Sequence, residues 1–498
     1  MKRMLLFCGL LAFGFGLMPL QAQRYLSEVF TDVTVTSDIE YAQNITVITG
    51  MPGMDTLHCD VYEPMGDNQA ERPVVIISHT GSFLPVPLNG QATGNRHDST
   101  LVEMCNSFAK RGFVAVAMEY RQGWNPTSTD QDVRTGTLLN AAYRGIQDAR
   151  TLVRFLRDDY ANGNTWGIDS GDIVMGGIGT GGYISLGCAY LDDWDEIFMP
   201  KFFNFNTNAY YLDTALSGDP EGKWSRPLNV GNYPSYSSAV DMAVNLGGAC
   251  GDSTWIDAGE TPCVSFHCPS DPFAPYKFGA VIVPTTNEFV VNVSGSHDVQ
   301  RIGNSLGVND AYINAIYTDP FTSAANMNND GLDGLMPFLR PGPAPEGSPW
   351  DWWDTLVWNV PHPAGGTFNS QGLMTNPDMS ATKARTYIDS IMNYLAPRIV
   401  CTLGLPGCVT VETAEQLETG SVTVFPNPTA GELNVRSTIS GNTISEVTLV
   451  DLQGRTVGSW TDLKAMEWRM DQNELSDGMY FVKVQTLQGM ITKKVIVE

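Results

Sequence analysis

At roughly 100–200 residues per domain, a chain of 498 residues holds more than one domain, and 43% hydrophobic against 17% charged residues excludes intrinsic disorder as its overall state. Lys and Arg number 29 against 54 Asp and Glu, a formal charge of −25. That field repels polyanions and argues against nucleic acid or an anionic membrane surface as the partner.

In chain order, Lys2 and Arg3 precede an apolar run from Met4 to Leu20, and Leu20-Gln21-Ala22 offers small-residue cleavage chemistry. Residues 1–22 are expected to be a secretory signal peptide, cut near Ala22 or Gln23. The run is short and broken by Gly9, Gly14 and Gly16, which disfavours a membrane anchor. The mature chain is therefore expected to be exported and to have no transmembrane segment.

Arg72–Ser78 is a β-branched run that reads as a buried parallel strand emptying into His79-Thr80-Gly81-Ser82. Asp98–Arg111 carries apolar residues at helical spacing and stops at Gly112. Phe113–Met118 reads as a strand, Asn140–Tyr160 as an amphipathic helix, and Asp172–Met175 as a strand running into the glycines from Gly176 to Gly182, with a helix from Tyr183. Further strands are expected at Val240–Leu246, Cys263–His267 and Glu288–Val293, and a closing helix at Ser380–Leu395. Strands alternating with helices predict an α/β domain over residues 23–400 with a mostly parallel sheet flanked by helices. Two irregular stretches, about 190–235 and 305–365, read as insertions of the lid or binding-loop kind.

From Cys401 the periodicity changes. Alternating strands at Ser421–Phe425, Glu432–Val435, Val447–Asp451, Met479–Val484 and Thr492–Val497 predict an antiparallel β-sandwich over 420–498, joined by a linker over 401–419. Of nine cysteines, Cys8 lies in the leader, and the short spans Cys250–Cys263 and Cys401–Cys408 are the expected disulfides. Cys105 and Cys188 read as buried helix residues. No Cys/His spacing of the zinc kind occurs.

The strand, glycine-rich turn and helix around residue 179 have the layout of a nucleophile elbow. On Gly167–Tyr183, the His79-Thr80-Gly81-Ser82 loop and the stretch Pro262–Pro272, residues 70–300 with the helix to 395 resemble the α/β-hydrolase family on its esterase, lipase and peptidase side. The resemblance implies a nucleophile, an acid and a base delivered at strand ends. Aligning Gly177-Ile178-Gly179-Thr180-Gly181 on G-x-S-x-G puts Gly179 where the serine belongs, so the nucleophile is missing. Thr180, the neighbouring hydroxyl, takes the position whose backbone N–H serves the oxyanion hole, and its side chain is expected to point away from the site. Asp271 matches the acid and His267 reads as structural. Two histidines compete for the base, His297 after the Glu288–Val293 strand and His362 ahead of the closing helix. Thr80 and Gly81 stand where the family's oxyanion loop lies, with Thr80 in place of a glycine.

Oxygen side chains at Asn326, Asn328, Asp330 and Asp333 with Gly331 at the sixth position resemble a calcium loop. Pro337 stands where the bidentate glutamate belongs, so an Asn/Gly turn is the competing reading. No other cofactor is expected. Trp350, Trp352, Trp353 and Trp358 suit either packing or stacking on a ligand.

At the C-terminus, Val424–Leu433, Val447–Arg455, Leu475–Tyr480 and Lys493–Val497 resemble, block by block, the sorting domain of type IX secretion cargo. The resemblance implies recognition by an outer-membrane translocon, followed by release or attachment at the surface of a Gram-negative cell. Three functions remain open from sequence: a hydrolase-fold domain that binds a small molecule, peptide or glycan without serine hydrolysis; an active esterase or peptidase using Asp271, a histidine and a non-standard nucleophile; and a structural surface component.

Overall fold

The computed structural model describes residues 23–282, 288–340, 345–409, 422–429, 432–439, 441–451, 455–471, 475–486 and 489–497. The expected signal peptide, residues 1–22, lies outside the described residues. Two compact units divide the chain, one through Val409 and one from Thr410.

The first unit is built on strands β1 (Val33–Ile48), β2 (Met51–Pro64), β3 (Arg72–Ser78), β4 (Val114–Met118), β5 (Ile168–Ile178), β6 (Met242–Leu246), β8 (Cys263–His267) and β11 (Leu335–Pro337). The short strand β7 is Ala249–Cys250. The main sheet has the order β1-β2-β4-β3-β5-β6-β8-β11, with β2 antiparallel to both neighbours and the other pairings parallel. Every residue of β3, β4, β6 and β8 is buried, as a sheet covered on both faces requires.

The two-residue period of a strand divides that core between the faces. Val74 and Ile76 pack with helices α2 (Gln131–Asn162) and α3 (Thr180–Tyr190), while Val75 and Ile77 pack with α1 (Ser99–Arg111) and α5 (Ala381–Thr402). One antiparallel strand in an otherwise parallel eight-stranded sheet, with helices on both faces and a tight turn after the central β5, is the α/β-hydrolase fold.

Several elements differ from expectation. The β1–β2 hairpin had no turn signal strong enough to reveal it. The Glu288–Val293 strand exists as β10 (Phe289–Gly295), but it pairs antiparallel with β9 (Phe278–Ile282) and β7 outside the main sheet. The last strand of the main sheet is β11, a three-residue segment inside the 305–365 insertion. Helix α5 continues past Pro397 to Thr402 because Ile399 and Val400 are buried and the Arg398 guanidinium lies 3.4 Å from the Tyr394 ring centre. A disulfide joins Cys401 to Cys408, and Ile316 N–H donates to Val409 O at 2.7 Å, so residues 401–409 belong to the first unit rather than to a linker. Residues 410–419 lie outside the described residues.

The expected Cys250–Cys263 disulfide does not form: both are buried free thiols. Cys250 on β7 donates to Asp252 O at 3.0 Å, whereas Cys263 on β8 stands 3.7 Å from Ser265 Oγ, each sulfur in its own strand's surroundings.

The second unit is a sandwich of two antiparallel sheets. Strands β12 (Val422–Phe425), β13 (Glu432–Ser437) and β16 (Glu467–Asp471) form one; β14 (Ile444–Val450), β15 (Thr456–Trp460), β17 (Gly478–Thr486) and β18 (Gly489–Val497) form the other. Leu433, Val435, Val447, Leu449, Val482, Val484 and Val495 fill the space between them.

Candidate functional site

The turn from β5 into α3 brings several backbone segments into close approach. Gly179 has φ +56° and ψ −116°, a conformation that favours glycine. The backbones approach so closely here that a Cβ on Gly177 would overlap Gly181 O, and one on Gly181 would overlap Ser78 O. A Cβ on Gly179 would overlap Thr80 Oγ1 and stand 3.1 Å from Thr80 Cβ. The threonine side chain from the loop after β3 therefore occupies the space that a residue at the elbow would need. Sequence reading placed Thr80 in the oxyanion loop and did not foresee this role, which depends on two loops facing each other.

Behind the elbow the polar groups are committed. The Tyr120 hydroxyl lies 3.0 Å from Thr180 Oγ1 and 3.1 Å from His79 O. His79 is buried and stacked on Tyr120 with ring centres 4.4 Å apart, and burial pushes its imidazole down to about 4, so it is neutral. The Thr180 hydroxyl thus has Tyr120 as its partner. The N–H groups of Thr180 and Gly181 belong to the first helical turn, where donors have no partner within the helix. Gly81, at φ +121°, packs against Gly94 and holds the loop rather than the cavity wall.

Asp271 follows β8. Its Oδ1 accepts the N–H groups of Phe273 at 2.7 Å and Ala274 at 3.3 Å. Its Oδ2 lies 3.7 Å from His267 Nε2, beyond hydrogen-bond reach. Burial pushes this carboxyl up to about 7. His267 is fully buried, pushed down to about 4 by burial, and bonded through Nδ1 to Ser296 Oγ at 2.7 Å, while Asn245 Nδ2 donates to the same Oγ at 3.0 Å. Both ring nitrogens have partners inside the fold, Nε2 lying 3.3 Å from Ala274 O.

The two candidate bases separate. His297, on helix α4 (Ser296–Leu306), bonds through Nε2 to Asp330 Oδ2 at 3.0 Å and packs against Tyr276. It does not line the cavity described below, because the strand before it belongs to the side sheet. The strand expected as the last of the main sheet thus lies in the side sheet instead. His362 follows β11, the true last strand, and does line that cavity. Its Nδ1 accepts the Ala364 N–H at 3.0 Å, and a Cβ on Gly90 would stand 3.1 Å from its Nε2. Among the described residues, no hydrogen bond or ion pair joins His362 to Asp271.

Thr80, Gly179, Thr180, Asp271 and His362 share one cavity of about 620 Å³. Its walls come from the loop after β3, from Leu138, Ala142 and Ile146 of α2, from Val281, Val290 and Val291 of the side hairpin, and from both insertions through Leu191, Ile197, Leu212 and Trp353. Sequence reading missed Asp351, which also lines it. Its Oδ1 accepts the Thr100 hydroxyl at 2.7 Å, and burial pushes it up to about 6. The only sequence signal was an acid embedded in the aromatic run Trp350–Trp353. Trp350 is wholly buried packing, whereas Trp353 faces the cavity and donates to Asn369 Oδ1 at 3.0 Å.

The residues of the expected calcium loop have separate partners. Asn326 Oδ1 accepts from Asn329 Nδ2 at 3.2 Å, Asn328 donates to Ala324 O at 3.3 Å, Asp330 bonds His297, and Asp333 O accepts from Asn304. The buried Asn329, which also donates to Leu332 O, organises an Asn/Gly turn. Elsewhere, Asp38, Asp60 and His97 come together, but Arg96 bonds both carboxylates and supplies the cation itself.

The first unit is thus an α/β-hydrolase-fold domain with Gly179 at the turn from β5 into α3. Residues 423–498 match the model of the secretion system C-terminal sorting domain, so the chain is cargo of type IX secretion, released or attached at the cell surface. No helix among the described residues is long and apolar enough to cross a membrane. Among solved structures, the chain is similar to Thermogutta terrifontis esterase 2 phosphorylated by paraoxon, at 16% identity over 62% of this chain and 82% of that one, TM-score 0.32. It is similar also to a truncated carbohydrate esterase from gut microbiota, at 16% identity over 56% and 86%, TM-score 0.31. A third is a bifunctional GH43-CE protein of Bacteroides eggerthii, at 18% identity over 48% and 29%, TM-score 0.31. No curated protein matches.

Proposed function

We propose that the exported hydrolase-fold domain binds a mainly apolar ligand in the 620 Å³ cavity and does not perform serine hydrolysis. The observation that carries this reading is the Gly179 elbow with Thr80 in the space of the missing side chain. A serine hydrolase stripped of its nucleophile loses about 10⁶-fold in turnover, leaving binding and oxyanion donors. The separation of Asp271 from His362 supports the same reading, since a carboxylate that does not hold the base gives it no orientation. Cavity size and lining are those of a small-molecule site. The test is exposure of the purified exported chain to a serine-directed fluorophosphonate, with esterase assays on acyl chains of several lengths. Absence of labelling and of turnover is expected; stoichiometric labelling would sink the proposal.

One observation favours the rival reading of an active hydrolase: Thr80 and His362 offer a hydroxyl and an imidazole to the same cavity. Thr80→Val separates the two. Under the binding reading it leaves background hydrolysis unchanged, whereas a threonine nucleophile requires its loss.

A further inference from the structure

The cavity's charge pattern bears on what it holds, an inference that rests on the binding role just proposed. Of the residues that line it, Asp271 and Asp351 are the acids, and no lysine or arginine is present among them. Both carboxyls are deeply buried, with Asp271 at 4% side-chain exposure and Asp351 at 7% overall. Asp351 already accepts the Thr100 hydroxyl. Asp271 is half-satisfied: Oδ1 takes two backbone N–H groups, while Oδ2 has no hydrogen-bond donor among the described residues. That oxygen opens onto the cavity, where a donor on a ligand can reach it. The surroundings of Asp271 offer no cation to do so: Gly247 and Gly347 flank the carboxylate, Ala274 lies three residues on, and Ser348 follows Gly347.

Aromatic rings from Trp124, Tyr183, Phe202, Trp255, Phe273 and Trp353 also contribute to the wall. Ring faces attract cations and gain from the low dielectric of an enclosed site. A carboxylate-bearing ligand such as a fatty acid would meet two acids, with the His362 imidazole as the one basic side chain on the wall, a balance that disfavours it.

We infer that the cavity is selective for an apolar molecule with a single primary ammonium head, which donates to Asp271 Oδ2, and that it discriminates against the matching carboxylate. The aliphatic wall formed by Leu138, Ile146, Val290 and Val291 takes the tail.

The test uses the purified exported chain, with decylamine, decanol and decanoate as probes in calorimetric titrations at pH 8, above the value of about 7 to which burial pushes the Asp271 carboxyl. Decylamine is expected to bind about tenfold or more tighter than decanol, and decanoate weakest of the three. Asp271→Asn, which keeps an acceptor for the Phe273 and Ala274 N–H groups, should bring decylamine to within about threefold of decanol and strengthen decanoate. Decanoate binding as tightly as decylamine to the unaltered protein overturns the inference whether or not the variant folds. An unchanged amine preference in a folded Asp271→Asn variant overturns it too. The underlying reading fails differently: if none of the three probes binds, the cavity is not an apolar site, and if the protein hydrolyses p-nitrophenyl decanoate, it is not catalytically silent.

Discussion

Restoring a serine at residue 179 tests the structural account of the elbow more sharply than any loss of function. The backbone there sits at φ +56°, so any side chain incurs about 1–3 kcal/mol of strain. The new Cβ also overlaps Thr80 Oγ1 and comes within 3.1 Å of Thr80 Cβ, an overpacking of about 1–3 kcal/mol. Gly179→Ser alone should therefore destabilise the first unit by about 2–6 kcal/mol. Thr80→Gly removes both overlapping atoms, so a double-mutant cycle by denaturant titration should show a favourable coupling of about 1–3 kcal/mol between the two positions. The strain term remains in the double variant. Only that variant leaves room for the serine side chain, and slow fluorophosphonate labelling is expected there and not in the unaltered protein. Because a nucleophile without its base recovers little turnover, esterase activity should stay far below that of a complete triad. Zero coupling between Gly179→Ser and Thr80→Gly would refute the claim that Thr80 fills the nucleophile's space.

Other outcomes follow from features away from the elbow. Burial pushes Asp271 up to about 7 and Asp98 up to about 8, so the folded chain holds protons that the unfolded chain has released; between pH 6.5 and 8, thermal stability should fall as pH rises, by about 1.4 kcal/mol per pH unit for each such proton. Below pH 6.5 the buried neutral His79 and His267 act in the opposite direction, because the unfolded chain takes up protons that they refuse, and Asp98→Asn should flatten the slope above pH 7. With residues 1–22 removed and reductant absent, Ellman's reagent should find no reactive thiol in the native protein and six after denaturation, while Cys401→Ser should cost about 2 kcal/mol through the short loop it opens. Asp148→Asn leaves the fully buried Arg121 without its counter-ion and should destabilise by about 3–5 kcal/mol, read by denaturant titration. Deleting residues 423–498 should leave the protein inside the cell envelope, as followed by fractionation and immunoblotting.

The parts of the fold legible in the sequence were those with strong local patterns. Continuous apolar runs gave β3, β4, β6 and β8, and the glycine-rich turn gave the elbow, because strand burial and tight turns restrict residue types directly. The β11 strand was hidden because three residues carry no periodicity and its pairing with β8 is set by tertiary contact. The same omission shaped the reading of His297: with β11 unseen, β10 looked like the last strand of the main sheet, whereas it lies in the side sheet. Asp271 was legible from its motif, whereas Asp351 and the obstruction by Thr80 arise from loops that meet only in the folded chain. The Cys250–Cys263 pairing failed for a related reason, since a short sequence span says nothing about which way two strands aim their sulfurs. In the second unit the outer strands β15 and β16 escaped notice, as exposed strands alternate weakly.

The insertion spanning residues 214–232 is attached in a particular manner. Gln147 donates to Ser217 O and Asp219 O, Tyr143 to Gly218 O, Arg150 to Pro220 O, Arg154 to Glu221 O and Arg121 to Leu228 O. Each of these bonds grips a main-chain carbonyl, which every amino acid possesses. At those carbonyls the strap's placement does not depend on the identity of its own side chains, whereas buried Asn229, which accepts from Asn44 and Arg121, and Glu221, paired with Arg150, hold it through theirs. A lineage carrying this arrangement is able to vary the strap's outward side chains while the backbone keeps its course along α2.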